Sequence, residues 1–160
     1  MKKIIALALA AALLSPLALH SQDRRSLQAA EISFNSGERS FGKEDFKEAA
    51  KSFEIVIESI PRRIESRKHL AMRLDANIQL IEIYFNKEVN FKRACELIDE
   101  YEQTINEVRN SGVLKGRDLA KYLEQEQDNA KRKGRCKTLD SMDKDKDEFG
   151  KKFDKVFENE

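Results

Sequence analysis

The chain has 160 residues, 37% of them charged, and a formal net charge of +1. This balance lacks the basic excess typical of proteins that bind nucleic acid or anionic membranes, so we expect neither partner. The length fits one domain, but so many charged residues leave only a thin apolar core. This favours an elongated stack of helices over a compact globule.

The N-terminus has the pattern of a secretory signal peptide. Lysines at positions 2 and 3 precede an apolar run at residues 4–14, which is too short to span a bilayer as a helix. We expect cleavage after Ser21, with Ala18 as the weaker site, so that residues 1–21 form the signal. The mature chain then begins near Gln22, carries no stable membrane span, and is located in the bacterial periplasm or secreted.

Apolar residues recur at alternating steps of three and four, which is the pattern of amphipathic helices. The first two stripes comprise Leu27, Ala30, Phe34, Gly37 and Phe41, and Phe46, Ala49, Ala50, Phe53, Val56, Ile57 and Ile60. Residues 42–45 separate them, and Asp45 is placed to cap the second helix. The two stripes predict an α-hairpin that ends at Pro61.

Two further stripes predict a second pair of helices, the first beginning soon after Pro61. They comprise Ala71, Leu74, Ile78, Ile81 and Phe85, and Phe91, Ala94, Ile98, Tyr101, Ile105 and Val108. Gly112 favours termination of the fourth helix, because glycine readily adopts the left-handed conformation. A fifth helix at residues 114–133 is expected from Leu119, Tyr122, Leu123 and Ala130. We therefore predict an all-α domain at residues 22–134, with about five helices in antiparallel hairpins, and a charged tail at 135–160.

One motif runs through the first hairpin, where Gly37, Ala49, Phe53 and Pro61 follow one another within and after the segments FNSGERSF and EDFKEA. This motif resembles a tetratricopeptide repeat. In that family a small residue of the first helix lets the second pack closely, an alanine and an aromatic residue face the first helix, and a proline closes the unit. The chain departs from the family at Ser33, Ser40 and Val56, where tryptophan, tyrosine and alanine are frequent.

A second, looser unit follows. The segment NFKRA that ends at Ala94 echoes DFKEA ending at Ala49, 45 residues earlier, whereas the family repeats every 34 or so. The extra length lies at residues 62–71, so we expect the third helix to begin early. The resemblance covers residues 27–108, and because short stacks need covering, it implies that the fifth helix or a partner chain closes the open end.

The resemblance also implies a partner site, because repeats of this family hold a peptide or a partner helix on the concave face formed by the first helix of each pair. The residues carried onto that face are Glu31, Asn35, Glu38, Gln79, Ile83 and Asn86. Asn35 is singled out because a side-chain amide both donates to and accepts from a peptide backbone. The alternative is that these are ordinary solvated residues.

Cys95 and Cys136 are the two cysteines, and export places them where disulfides persist. One bridge or two free thiols are both compatible with the sequence. An antiparallel pair of helices turning near Ser111 sets Gln127 opposite Cys95. On this geometry a bridge requires the chain to turn back after Gly134.

Two charged segments have both a functional and an ordinary interpretation. The basic cluster Arg62, Arg63, Arg67, Lys68 and Arg73 suits an acidic partner, although nearby Glu58, Glu65 and Asp75 favour surface ion pairs. In the tail, Asp143, Asp145, Asp147 and Asp154 have calcium-loop spacing, but Glu148 stands where glycine is needed. Phe149, Phe153, Val156 and Phe157 give the same tail a faint helical face.

Catalysis is not expected. Only His69 remains after signal removal, the sequence offers no catalytic triad, and no cofactor loop or zinc spacing occurs. A Cys95–His69 pair is disfavoured, because Cys95 lies on an apolar stripe. We expect an exported adaptor that binds another envelope or secreted protein. The alternatives are a surface or ion-binding protein acting through its tail, and a structural homo-oligomer.

Overall fold

In the computed structural model, the backbone is described for residues 15–157 and the side chains for residues 24–138. This part of the chain is helical, without strands, which confirms the predicted all-α fold of about five helices. The helices are α1 (Ser15–Gly42), α2 (Phe46–Ser59), α3 (Arg67–Asn86), α4 (Phe91–Ser111) and α5 (Gly116–Phe157). The chain forms two compact units that divide between Gln79 and Leu80.

Helices α1 and α2 form the predicted hairpin of the first unit. Asp45 is the N-cap of α2, and its side chain accepts a hydrogen bond from Glu48 N at 3.2 Å, as its position before an apolar run predicts. Helix α1 runs without a break through Ser21, the predicted cleavage site, whereas residues 1–14 of the predicted signal lie outside the described residues.

The contact between Gly37 and Phe53 fixes how closely α1 and α2 approach. A Cβ atom at Gly37 would lie 2.7 Å from Phe53 Cε1, so only glycine allows the ring to occupy this position. Phe53 is completely buried, and Phe34 packs edge-on against it with ring centroids 5.8 Å apart. The hairpin is therefore interlocked at one point by a missing side chain on α1 and a large one on α2.

Helix α3 begins later than predicted. Residues 61–66 form a non-helical connection, and the helix starts at Arg67 rather than soon after Pro61. The start is fixed locally, because Ser66 Oγ accepts a hydrogen bond from His69 N at 3.5 Å and Ser66 O accepts one from Leu70 N at 2.9 Å. The extra length between the two predicted repeats is thus partly loop.

Helix α4 is capped at both ends, and Gly112 ends it as predicted. Asn90 accepts a hydrogen bond from Arg93 N at 3.2 Å, and Gly112 adopts the left-handed conformation with φ of 65°. The buried side of α4 is formed by Ala94, Leu97, Ile98, Tyr101, Thr104, Ile105 and Val108. This seam packs on α5, where Tyr101 donates its hydroxyl hydrogen to Tyr122 O at 2.9 Å.

The structure contains a disulfide between Cys95 and Cys136, with 5.8 Å between the Cα atoms. It needs no reversal of the chain, because α5 continues through Gly134 to Phe157. The expected position opposite Cys95 was wrong because α5 begins at Gly116, so the turn follows Ser111 instead of being centred on it. When the centre of the turn shifts by one residue along the chain, the residue that lies opposite a given position of α4 shifts by two. By chain entropy, a bridge of this separation contributes about 4 kcal/mol to the free energy of unfolding.

The calcium-loop pattern lies in a continuous helix. The backbone of α5 is helical from Asp143 to Asp154, and an α-helix places residues two positions apart on different sides. The loop conformation that gathers alternate oxygen ligands around one ion is therefore not adopted by this segment. Helix α5 also passes through the predicted boundary between residues 134 and 135 without interruption.

In the described segment, none of the helices combines the length and apolar character that crossing a bilayer requires.

Gly37→Ala tests the interlock of the hairpin, and Gly134→Ala is its matched control. We expect Gly37→Ala to lower the free energy of unfolding by about 1–2 kcal/mol, because displacing the Phe53 ring outweighs the better helix propensity of alanine. Gly134 lies in α5 with nothing within 4 Å of an added Cβ, so alanine there raises stability by up to about 1 kcal/mol. Urea unfolding of both variants measures the difference, and equal shifts would contradict the interlock.

Candidate functional site

The candidate site lies in the first unit, where the loop at residues 61–66 joins α2 to α3. Arg73 determines the shape of this loop. Its guanidinium is buried at 5% exposure and donates from Nη1 to Ile57 O and Ile60 O. These carbonyls belong to the end of α2, where the helix itself provides no donors. The positive charge of the guanidinium also interacts favourably with the negative end of the helix dipole.

Ser26 completes the end of α2 from the side of α1. Its hydroxyl donates to Ser59 O at 3.1 Å. The carbonyls at the end of α2 are therefore bound by one side chain from α1 and one from α3. This arrangement holds the three helices of the first unit around one loop.

A network around Glu31 lies on the same side of the first unit. Glu31 Oε1 accepts hydrogen bonds from Lys68 Nζ at 2.7 Å and from His69 Nε2 at 2.9 Å. The other ring nitrogen, Nδ1, lies 2.8 Å from Ser66 Oγ. Because a carboxylate only accepts, Nε2 carries the hydrogen, and in the neutral ring Nδ1 accepts from the serine hydroxyl. We call these four residues the Glu31 network.

The Glu31 network lowers the pKa of the Glu31 carboxyl group. The hydrogen bond from Lys68, and then that from His69, hold the pKa of Glu31 below its ordinary value of 4.5. A lowered carboxyl pKa stabilises the folded chain above the ordinary pKa, and this contribution is lost as the pH falls through the folded value. The Glu31 carboxyl is therefore ionised near neutral pH.

A cleft of about 300 Å³ opens beside the end of α2. Its lining residues are Ser26, Leu27, Ser59, Pro61, Arg63, Ile64 and Glu65. The lining combines apolar side chains with serines and one charge of each sign. Ser66 of the Glu31 network follows Glu65 directly, so the loop contributes to both features.

The predicted partner residues have different environments. On α1, Asn35 and Glu38 are exposed, as a partner surface requires, while Glu31 is half-buried and already bound to Lys68 and His69. Ile32, which the stripe pattern gave no role, is 63% exposed beside them. Of the predicted α1 residues, Asn35 and Glu38 therefore remain available, and we call the surface that they form together with Ile32 the α1 surface.

On α3 the prediction needs a correction. Ile83 is completely buried and cannot be presented to a partner, because α3 buries a wider surface than its single predicted stripe implied. Gln79 is half-buried in the first unit, and Asn86 is exposed at the end of α3 in the second.

The basic cluster does not form a free basic surface. Lys68 is bound to Glu31, and Arg73 is buried at the end of α2. Arg62, Arg63 and Arg67 also take part in interactions of their own. Lys68 and Arg73 are thus engaged within the first unit, with Glu31 and with backbone carbonyls, whereas the sequence suggests Glu58, Glu65 and Asp75 as partners.

Two findings bear on catalysis. Cys95 is bound in the disulfide and so offers no thiolate to His69. The structure does, however, assemble a hydroxyl, an imidazole and a carboxylate in Ser66, His69 and Glu31, which the sequence did not bring together because 38 positions separate Glu31 from His69. Ser66 Oγ is at the same time the acceptor that begins α3, which accounts for its position. Within the described residues, no cluster of three potential metal ligands occurs.

No protein-family model matches this chain, and no curated protein or solved structure matches it. The resemblance to tetratricopeptide repeats therefore stays a prediction based on residues of the first hairpin and their weaker echo in the second.

Replacing Arg73 tests its role at the end of α2. Arg73→Met removes the donors to Ile57 O and Ile60 O and leaves buried carbonyls without partners, which lowers the free energy of unfolding by about 2–4 kcal/mol. Arg73→Lys keeps the charge and loses less. Lys47→Met, at an exposed position of α2, is the control and changes stability by less than about 0.5 kcal/mol. Equal effects in thermal unfolding would show that the buried contacts are unimportant.

Removing Lys68 tests the charge balance of the Glu31 network. In Lys68→Met the pKa of Glu31 rises toward 4.5, because the first of the two hydrogen bonds that lower it is lost. The stability that Glu31 contributes above pH 4.5 is then smaller, and its loss on acidification, which begins near pH 4.5 in both proteins, is complete at a higher pH in the variant. Carbon-detected NMR titration of the carboxyl group measures this. Lys51→Met, which breaks only the exposed pair with Glu48, should leave the Glu31 titration unchanged.

Proposed function

We propose that the chain is an exported, tetratricopeptide-like adaptor of the bacterial cell envelope that binds another protein through the α1 surface and performs no catalysis. The observation that carries the proposal is the α1–α2 hairpin. Its interlock at Gly37 and Phe53 uses one side of α1 for packing, and Asn35 and Glu38 remain exposed on another. A small residue of the first helix that lies against an aromatic ring of the second is the packing that the family resemblance implies, and it supports the proposal.

The disulfide supports the exported location. Disulfides persist in the periplasm and outside the cell, whereas the cytosol keeps most thiols reduced. Cys136 is only 7% exposed, and the bridge joins the first turns of α4 to the middle of α5. A covalent link at this position suits a protein that folds in an oxidising compartment.

The α1 surface has the composition of a small binding surface. Ile32 is a large apolar side chain at 63% exposure, and the exposed amide of Asn35 and carboxylate of Glu38 lie within two turns of it. An apolar side chain surrounded by polar groups is how binding energy is commonly concentrated in protein interfaces. A peptide or helix with an apolar residue and a donor beside it is the expected occupant.

Cross-linking in the envelope fraction, followed by affinity measurement with the identified partner, tests the proposal. We expect one specific partner whose cross-links map to α1. The double variant Ile32→Ser, Asn35→Ala should weaken its binding by about tenfold or more, because both changes remove contacts from one small surface. The intact mass of the same preparation should correspond to a chain beginning at Gln22 with the disulfide formed.

Ile55→Ser is the matched control, because Ile55 is an exposed isoleucine of the same hairpin, on α2, at 45% exposure. It should leave the affinity unchanged. The proposal fails if no specific partner is recovered, or if Ile55→Ser weakens binding as much as the α1 variant does.

A further inference from the structure

We infer that the distal part of α5, residues 139–157, pairs with the same segment of a second copy of this chain in an antiparallel coiled coil. The first observation concerns where the helices that pack against α5 end along its length. Cys136 is bonded to Cys95, one turn inside the start of α4, and Arg132 contacts Glu82 and the ring of Phe85 near the end of α3. The end of α3 and the beginning of α4 therefore lie close to the level of Cys136.

Helix α5 continues well past this level. Its backbone is helical as far as Phe157, which extends it roughly 30 Å beyond Cys136 at the usual rise per residue. In proteins most of a helix's stability comes from packing of an apolar face rather than from intrinsic propensity, and Gly150 lowers the helix propensity of this segment further. A helix extending past the helices that it packs against needs another surface to stabilise it.

The sequence of the distal segment supplies such a surface. Its apolar residues follow the alternating three-and-four spacing of a coiled-coil seam, with one lysine at position 146. The seam positions are Leu139, Met142, Lys146, Phe149, Phe153 and Val156. A single lysine in a seam is a known means of specifying register and the number of chains.

Charge selects a second copy in the antiparallel direction. Residues 139–148 carry five acidic and two basic side chains, whereas residues 149–157 carry three basic and one acidic. In a parallel pair the two acidic halves would lie side by side. An antiparallel pair sets each acidic half against a basic half.

The apolar seam is compatible with the same antiparallel direction and defines a register for it. When Leu139 is level with Val156 of a second copy, Phe153 is level with that copy's Met142, so apolar positions meet throughout the seam except at Lys146. Asp145 and the second copy's Lys152 then flank the seam on the same side, offset by two residues or about 3 Å along the axis, and the two-fold symmetry forms this ion pair twice.

Sedimentation of the purified chain from about 10 µM to about 1 mM tests self-association. We expect the average mass to rise toward that of a dimer. Phe149→Ser should weaken the dimer by about tenfold or more, because it removes a central seam residue. Lys151→Ser, at the outermost position of the same turn, is the control and should have little effect. A chain that stays monomeric at every concentration overturns the inference.

Charge reversal tests the direction of pairing without changing the apolar seam. Asp145→Lys and Lys152→Asp should each weaken the dimer several-fold, and the double variant should restore it, because only the antiparallel register brings these two positions together. Failure of the double variant to recover overturns the antiparallel arrangement. Circular dichroism melting of each variant verifies that the second unit remains folded.

Discussion

The first unit depends on how the C-terminal end of α2 is satisfied inside the protein. A helix leaves its last carbonyls without donors, and Ile57 and Ile60 are both buried. The guanidinium of Arg73 supplies the donors and carries the charge that the helix end favours. Since α3 provides this arginine from its second turn, the same contact positions the preceding loop and the N-terminal turn of α3, which holds Lys68 and His69 next to Glu31.

Features with local causes could be predicted from the sequence. The five helices follow from apolar spacing, and the caps at Asp45, Asn90 and Gly112 follow from side chains or conformations that act within one turn. The residue opposite Cys95 could not be predicted, because it depends on the length of the turn between α4 and α5. An error of one residue in the centre of that turn shifts the opposing residue by two positions. The start of α3 likewise depended on Ser66, a hydroxyl that no apolar pattern detects.

The candidate site was less predictable than the fold, because charge in a sequence does not indicate burial. Arg73 looked like one more member of a surface basic cluster, yet it is buried, and Ile83 is buried although its place on α3 suggested exposure. Glu31 was placed on a partner surface, but two side chains of α3 already occupy its oxygen. Only contacts between distant segments distinguish these cases, and the α1 surface that remains is consequently smaller and more apolar than expected.

Because of the position of the disulfide, proteolytic cleavage has different consequences in the two halves of α5. Cys95 and Cys136 enclose the end of α5 that packs on α4, so a single proteolytic nick between them leaves both fragments covalently joined. A nick beyond Cys136 releases everything that follows it. Cleavage beyond Cys136 therefore removes the distal half of α5 while the disulfide still joins α4 to the rest of the helix. The distal segment can thus be lost without loss of the covalent link that holds α4 and α5 together.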